Sequence, residues 1–255
     1  MKKTQKFYWI AAALAVFGVT ASSRADDAIN VATATNHWVS AAAAGLTLTR
    51  GNSDTTLATL SLGTARKWQQ SELTMGADAT YGSSKTDGAS HTTAQSLHGV
   101  IQDNWLFTER LYAYARIEGL HDEVADIRYR LSLSPGVGYY FIKNKTIDLS
   151  GEFGPGYIIE RLGTNDHSFA TLRIGEKFHW AISDRARLWQ TVEFLPQVDK
   201  FDNYIVNFEI GIEADLSSSK KFALRTFLQD TYNHRPAPGR EKNDAKLVGA
   251  LAYKF

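Results

Sequence analysis

Residues Ile127–Ile142 read IRYRLSLSPGVGYYFI. One parity carries Ile127, Tyr129, Leu131, Leu133, Pro135, Val137, Tyr139 and Phe141, and the other carries Arg128, Arg130, Ser132, Ser134, Gly136, Gly138 and Tyr140. A period of two over this length predicts a β-strand with one apolar and one polar face. A helix would place Arg128 and Leu131 on the same side and leave no apolar stripe. Tyr204–Leu216 repeats the pattern, with Tyr204, Val206, Phe208, Ile210 and Ile212 against Asn207, Glu209, Gly211 and Glu213.

Working outward from these two stretches, the same template predicts about twelve strands, at 38–50, 55–67, 72–83, 92–104, 110–121, 127–142, 146–161, 168–182, 186–197, 203–216, 221–233 and 244–255. Most exceed the roughly five or six residues of a globular strand. They reach the length of about ten at which a tilted strand crosses a bilayer. The fourth, ninth and eleventh do not keep their apolar residues on one parity, and Glu176 falls on the apolar face of the eighth, which calls for a bulge or an interfacial depth.

The connections sort into two kinds. After even-numbered strands they are short and basic (KWQQSE, LFTER, KNKT, SDRA, SSSKK), whereas most of the others are Asp- and Gly-rich, the longest being NHRPAPGREKND. Short turns at one end and longer loops at the other mark an outer-membrane barrel. Trp38, Trp68, Tyr81, Trp105, Tyr139, Phe141, Trp180 and Tyr204 recur near strand ends, where interfacial girdles lie. A soluble sandwich or lipocalin-like barrel would have shorter strands with the apolar faces inward. The expected fold is therefore all-β, a transmembrane antiparallel up-and-down β-barrel spanning 38–255 with both termini periplasmic.

The totals fit this reading. The chain has 255 residues, a net charge of +1 and no cysteine. Disulfides and Cys-based metal sites are excluded, and there is no basic excess to suggest nucleic acid. Residues 1–25 form a separate segment: Lys2, Lys3 and Lys6 precede the apolar run Phe7–Ala21, and Ser23-Arg24-Ala25 supplies small residues at −3 and −1. This predicts a signal peptide cleaved before Asp26, export by the Sec route, and a short periplasmic lead at 26–37.

With the apolar parity on lipid, the polar parity lines the barrel. It places Arg116, Glu118, Arg128, Arg130, Asp148, Glu152, Glu160, Arg173, Lys177, His179, Glu193, Glu209, Glu213, Asp215 and Arg225 inside. Counting back from the turns brings Glu160 near Arg128 and Arg130, and Glu152 near Lys177 and His179. Opposed basic and acidic walls suit a narrow channel for small polar solutes or ions. The same charges could instead pair and fill the interior, because buried charges must be compensated, and twelve strands lie between filled and open barrels. Catalysis has one candidate, Ser96 and His98 two residues apart, as in a lipid-modifying hydrolase, but no Gly-x-Ser-x-Gly elbow accompanies them. The remaining histidines do not converge on a zinc site. Asp122, Glu123 and Asp126 form an acidic loop that could meet a divalent cation beside lipopolysaccharide phosphates, although a solvated loop explains it as well. No catalytic, cofactor or metal residue is assigned.

Several segments together carry a family resemblance: GNSDTT at Gly51–Thr56, DIRYRLSLSPGVGYYFI, LSGEFGPGYIIERL, and the closing NHRPAPGREKNDAKLVGALAYKF. The chain resembles the YdiY-like salt-induced outer-membrane proteins, a family catalogued mainly as a domain of unknown function. Ser53 stands where that family usually has Thr. The resemblance implies an outer-membrane barrel linked to salt or osmotic conditions, and no substrate or catalytic residue. Leu247, Gly249, Leu251, Tyr253 and Phe255 also resemble the C-terminal signature read by the outer-membrane assembly machinery. The expected partners are therefore that machinery, outer-membrane lipid and lipopolysaccharide.

Overall fold

The computed structural model describes residues 36–49, 54–86 and 89–255. The expected signal peptide, most of the lead and the start of the GNSDTT motif lie outside the described residues. Twelve strands follow in chain order: β1 (Trp38–Thr49), β2 (Asp54–Lys67), β3 (Ser71–Thr86), β4 (Ala89–Leu106), β5 (Leu111–Asp122), β6 (Ile127–Lys143), β7 (Ile147–Leu162), β8 (Asn165–Ser183), β9 (Ala186–Gln197), β10 (Lys200–Asp215), β11 (Phe222–Asn233) and β12 (Asn243–Lys254). Each pairs antiparallel with its chain neighbours, and β12 returns to β1, closing the ring. The described residues contain no helix.

Alternation decides which way each side chain points. Leu131, Leu133, Val137, Phe153, Ile174, Ile212, Leu224 and Leu251 lie exposed on the outside, while Arg130, Glu152, Arg173, Glu209 and Arg225 are buried inside. A closed sheet with apolar residues outside and charges inside is the architecture of a barrel that crosses a bilayer. Aromatic rings band its ends. At the end where β1 begins and β12 finishes, Trp38 and Trp68 meet edge to face with Arg66 over both rings, and Tyr253 stacks near Phe255. At the opposite end Tyr204 stacks on Tyr232 and on His234.

The strands whose apolar parity wandered do so for a physical reason: part of the lumen is itself apolar. Trp189 of β9, Ala223 and Phe227 of β11, Val248, Ala250 and Ala252 of β12, and Ala43 of β1 form one buried cluster inside the barrel. In β4, Ala94 and Val100 likewise point inward, and a register shift opposite Gly82 and Ser83 changes the parity near Thr93. Glu176 faces outward without a bulge at its own position, and Gln190 on β9 donates to its carboxylate over 2.8 Å. The bulge in this region lies at Ala181–Ser183, nearer the strand end.

Among the described residues the longest connection, between β11 and β12, folds over the end opposite the start of β1. Its Ala237 is 2% exposed and packs with Ile127 and Leu162, beside Leu120 and Ala125. Those residues belong to β5, β6, β7 and the β5–β6 turn, on the far side of the ring. The segment is thus a strap laid across the mouth.

Candidate functional site: the barrel lumen

The lumen falls into three levels. At the end where β1 begins and β12 finishes, a vestibule of about 690 Å³ is walled by Lys67, Lys143, His179, Arg187, Glu213 and Lys254, among others. Here Lys67 and Lys143 lie 2.7 and 3.6 Å from Glu72, and the Tyr140 hydroxyl donates to the same carboxylate over 2.7 Å. Arg187 and Lys254 both reach Glu213, at 2.7 and 2.5 Å, and Arg225 Nε approaches it from β11 at 3.3 Å. Register explains this convergence, since Glu213 sits directly between Arg187 and Arg225 on the flanking strands.

The waist is the most tightly knit level. Arg173 Nη1 donates to Glu152 Oε2 over 2.7 Å and its Nε donates to Glu193 Oε1 over 2.6 Å. Glu152 Oε1 accepts from Gln102 Nε2 at 2.8 Å and from the Tyr112 hydroxyl at 3.0 Å, with Lys177 Nζ 3.6 Å away. Gln102 stands on β4 and Glu152 on β7, so this bond spans the lumen instead of running along the wall. Tyr112 and Tyr114 fill the space in front of Gly138 and Gly136, where a Cβ would collide with the phenol rings. On the opposite wall, Trp189 Nε1 donates to Glu209 over 2.5 Å, and Gln229 Nε2 donates to its other oxygen. Glu152, Glu193 and Glu209 each meet a donor on both oxygens, which offsets the cost of burying them.

Beyond the waist, under the strap, lies a chamber of about 70 Å³. Arg130 Nε donates to Glu160 over 2.6 Å at its edge, and Asn207 links Glu193 to Thr231 by bonds of 2.9 and 3.1 Å. Asp122 Oδ1 accepts the backbone N–H groups of Val124 and Ala125, which shapes the β5–β6 turn. A turn-capping role accounts for that carboxylate without a cation.

The sequence-derived lumen set is therefore divided. Arg130 and Glu160 meet, and Glu152 meets Lys177, but its closest cation is Arg173; His179 stands opposite Asp148 instead. Glu209 and Glu213 face inward on β10. Arg128 does not join them: the register shift between Ile127 and Tyr129 turns it to the exposed side, where its carbonyl accepts from His121. Leu247, Gly249, Leu251, Tyr253 and Phe255 all lie on the outer face of β12 and beyond it.

Sequence reasoning missed Gln102, Tyr112, Glu72 and Asp78, and it did not bring His98 and Glu118 together. The signal was available, because Gln102 shares the parity of His98 on a strand with broken alternation. His98 Nδ1 is 2.9 Å from Asp78 and its Nε2 is 3.1 Å from Glu118, which also accepts from Arg116. Both ring nitrogens are engaged by carboxylates, so none is turned to Ser96 as a base.

No curated protein matches the chain. It is similar at low identity to a number of solved barrels, among them the following three. The NanC porin is 6% identical, with 84% of this chain and 98% of that chain covered at a TM-score of 0.49. The translocator domain of the autotransporter NalP from Neisseria meningitidis is 12% identical, covering 86% of each chain at 0.46. The outer membrane channel DcaP of Acinetobacter baumannii is 8% identical, covering 86% of this chain and 95% of that chain at 0.42. Residues 42–255 match the family described as "Protein of unknown function, DUF481", and the chain belongs to that family.

Proposed function

We propose that this protein sits in the outer membrane, reached by Sec export after loss of residues 1–25, and passes small polar solutes or ions through its lumen without altering them chemically. The tie to salt or osmotic conditions implied by the YdiY-like resemblance belongs to the same proposal. So do recognition of the last strand by the assembly machinery and contact with lipopolysaccharide. The observation that carries the reading is the waist: Arg173 lies between Glu152 and Glu193, with the vestibule on one side and the chamber on the other. Opposed charges at a constriction orient a passing dipole and select by sign. In this conformation the waist is shut by side-chain bonds, so passage requires Gln102 or Lys177 to release Glu152.

Planar-bilayer recording tests this. Small, brief conductance steps are expected from the wild type, with altered size or ion preference in Glu152→Gln and Lys177→Met. Silence of all three proteins supports a second reading, a structural barrel with a filled lumen. The bonds joining non-neighbouring strands, Gln102 to Glu152 and Tyr140 to Glu72, favour that alternative. Lipid hydrolysis abolished by Ser96→Ala would instead restore the hydrolase.

A further inference from the structure

The vestibule holds more positive charge than its carboxylates balance. Lys67 of β2 and Lys143 of β6 share the single carboxylate of Glu72. Arg187, Lys254 and Arg225 share Glu213, and Asp215 is the one further acid that Lys254 reaches. Three more cations border the space, each from a different turn: Lys145 between β6 and β7, Arg185 between β8 and β9, and Lys220 between β10 and β11. Lys220 Nζ donates to the backbone carbonyl of Asp184 over 2.7 Å, which satisfies a hydrogen bond without cancelling the charge. Lys145 and Arg185 have no ion-pair partner among the described residues. Against these three stand only the carboxylates of Asp148 and Asp184. Cations therefore exceed acids in each of the three groups.

This excess is local. The whole chain carries a net charge of only +1, and the chamber beyond the waist has Asp122, Asp230, Glu241 and Asp244 in its wall. The basic turns are also more than a solvated rim. They are far apart in sequence yet border one space of about 690 Å³, and low-dielectric walls around such a space focus the field of its charges. On the same measure a water takes roughly 10–15 Å³, so a hydrated solute fits without side-chain movement. A metal ion or organic cation is repelled there, and a neutral solute gains nothing from the charge. A singly charged anion answers one turn, whereas a solute with several negative groups bridges two or three.

We infer that the vestibule is a binding site for a small multivalent anion, one carrying several phosphate or carboxylate groups, held between Lys145, Arg185 and Lys220. The inference rests on the channel reading, since it gives the sign of the solute at one mouth of that lumen. Calorimetry on the refolded full-length barrel in a non-ionic detergent tests it with tripolyphosphate and inorganic phosphate as probes. Saturable heat is expected with tripolyphosphate, and binding at least about tenfold weaker with phosphate. The double variant Lys145→Gln/Arg185→Gln is expected to bind tripolyphosphate about tenfold more weakly. Lys200→Gln/Lys242→Gln removes two exposed cations at the opposite end and is expected to bind as the wild type does. Retention of the compact, fast-migrating form on unheated gels shows that each variant is folded. No saturable heat with tripolyphosphate, phosphate binding as tightly as tripolyphosphate, or equal losses or none in the two double variants overturns the site. Absent tripolyphosphate binding alongside measurable conductance leaves the channel reading standing, whereas saturable binding to a barrel that never conducts removes the channel and keeps the site.

Discussion

Glu152 and Arg173 stand on adjacent strands, yet they do not face each other in register: Glu152 is opposite Gly175 and Arg173 is opposite Gly154. Their 2.7 Å bond is therefore a diagonal, and the missing side chain at Gly175 lets the guanidinium fold back, its Nη2 3.2 Å from where a Cβ would stand. The diagonal leaves Arg173 Nε free to meet Glu193 on the other flank, so one cation serves two carboxylates.

That sharing makes the waist unforgiving of single changes. Arg173→Met removes the guanidinium that the buried Glu152 and Glu193 share and is expected to cost about 3–5 kcal/mol, the usual penalty for breaking a buried pair from one side. Glu152→Gln keeps an acceptor for Gln102 and leaves Arg173 one full partner, so it should cost less. Urea unfolding from lipid vesicles, followed by tryptophan fluorescence, measures both. Equal losses would mean that Arg173 does not serve two carboxylates.

The two faces of β6 should respond differently to charge. Leu133→Arg puts a guanidinium into lipid and is expected to destabilise by about 2–4 kcal/mol near the midplane. Ser132→Arg, one residue away, enters the polar lumen beside the chamber and should cost clearly less. Similar losses in the same unfolding assay would reverse the inside and outside assignments.

Gly211 is on the lumen parity, yet it would not tolerate a side chain as Ser132 does. Trp189 of β9 lies across it so closely that a Cβ would overlap the indole ring. Gly211→Val is expected to push Trp189 off Glu209, with a loss of about 1–3 kcal/mol for overpacking and a changed near-ultraviolet circular dichroism band. An unchanged band would mean that the indole lies elsewhere.

The same indole shows where sequence reading stops. Strand positions are legible because a lipid-facing wall forces alternation, and β9 (Ala186–Gln197) falls on its expected bounds. The parity rule assigns apolar residues to lipid, so it cannot foresee Trp189, Phe227 and Val248 packing inside. It also fails at a one-residue bulge, which sends Arg128 outward while its neighbour Arg130 stays inside. Neighbouring-strand pairs such as Arg130–Glu160 follow from turn counting alone. The Gln102–Glu152 bond and the strap do not, because both depend on which distant strands face each other across the closed ring.

Closure itself gives the last prediction. Ser40 and Phe255 exchange both backbone hydrogen bonds, at 3.0 and 2.9 Å, and the paired seam continues only through Ala41–Ala44 against Leu251–Lys254. Removing Phe255 leaves the Ser40 N–H and C=O without partners at an edge where lipid offers none. Phe255→Ala keeps that backbone pair and loses only the ring beside Tyr253, 5.9 Å away. Deletion is therefore expected to slow refolding into vesicles and lower its yield far more than Phe255→Ala does, read as the fraction reaching the fast-migrating form over time. If the two proteins refold alike and poorly, the phenyl ring and not the backbone seam is what this residue contributes.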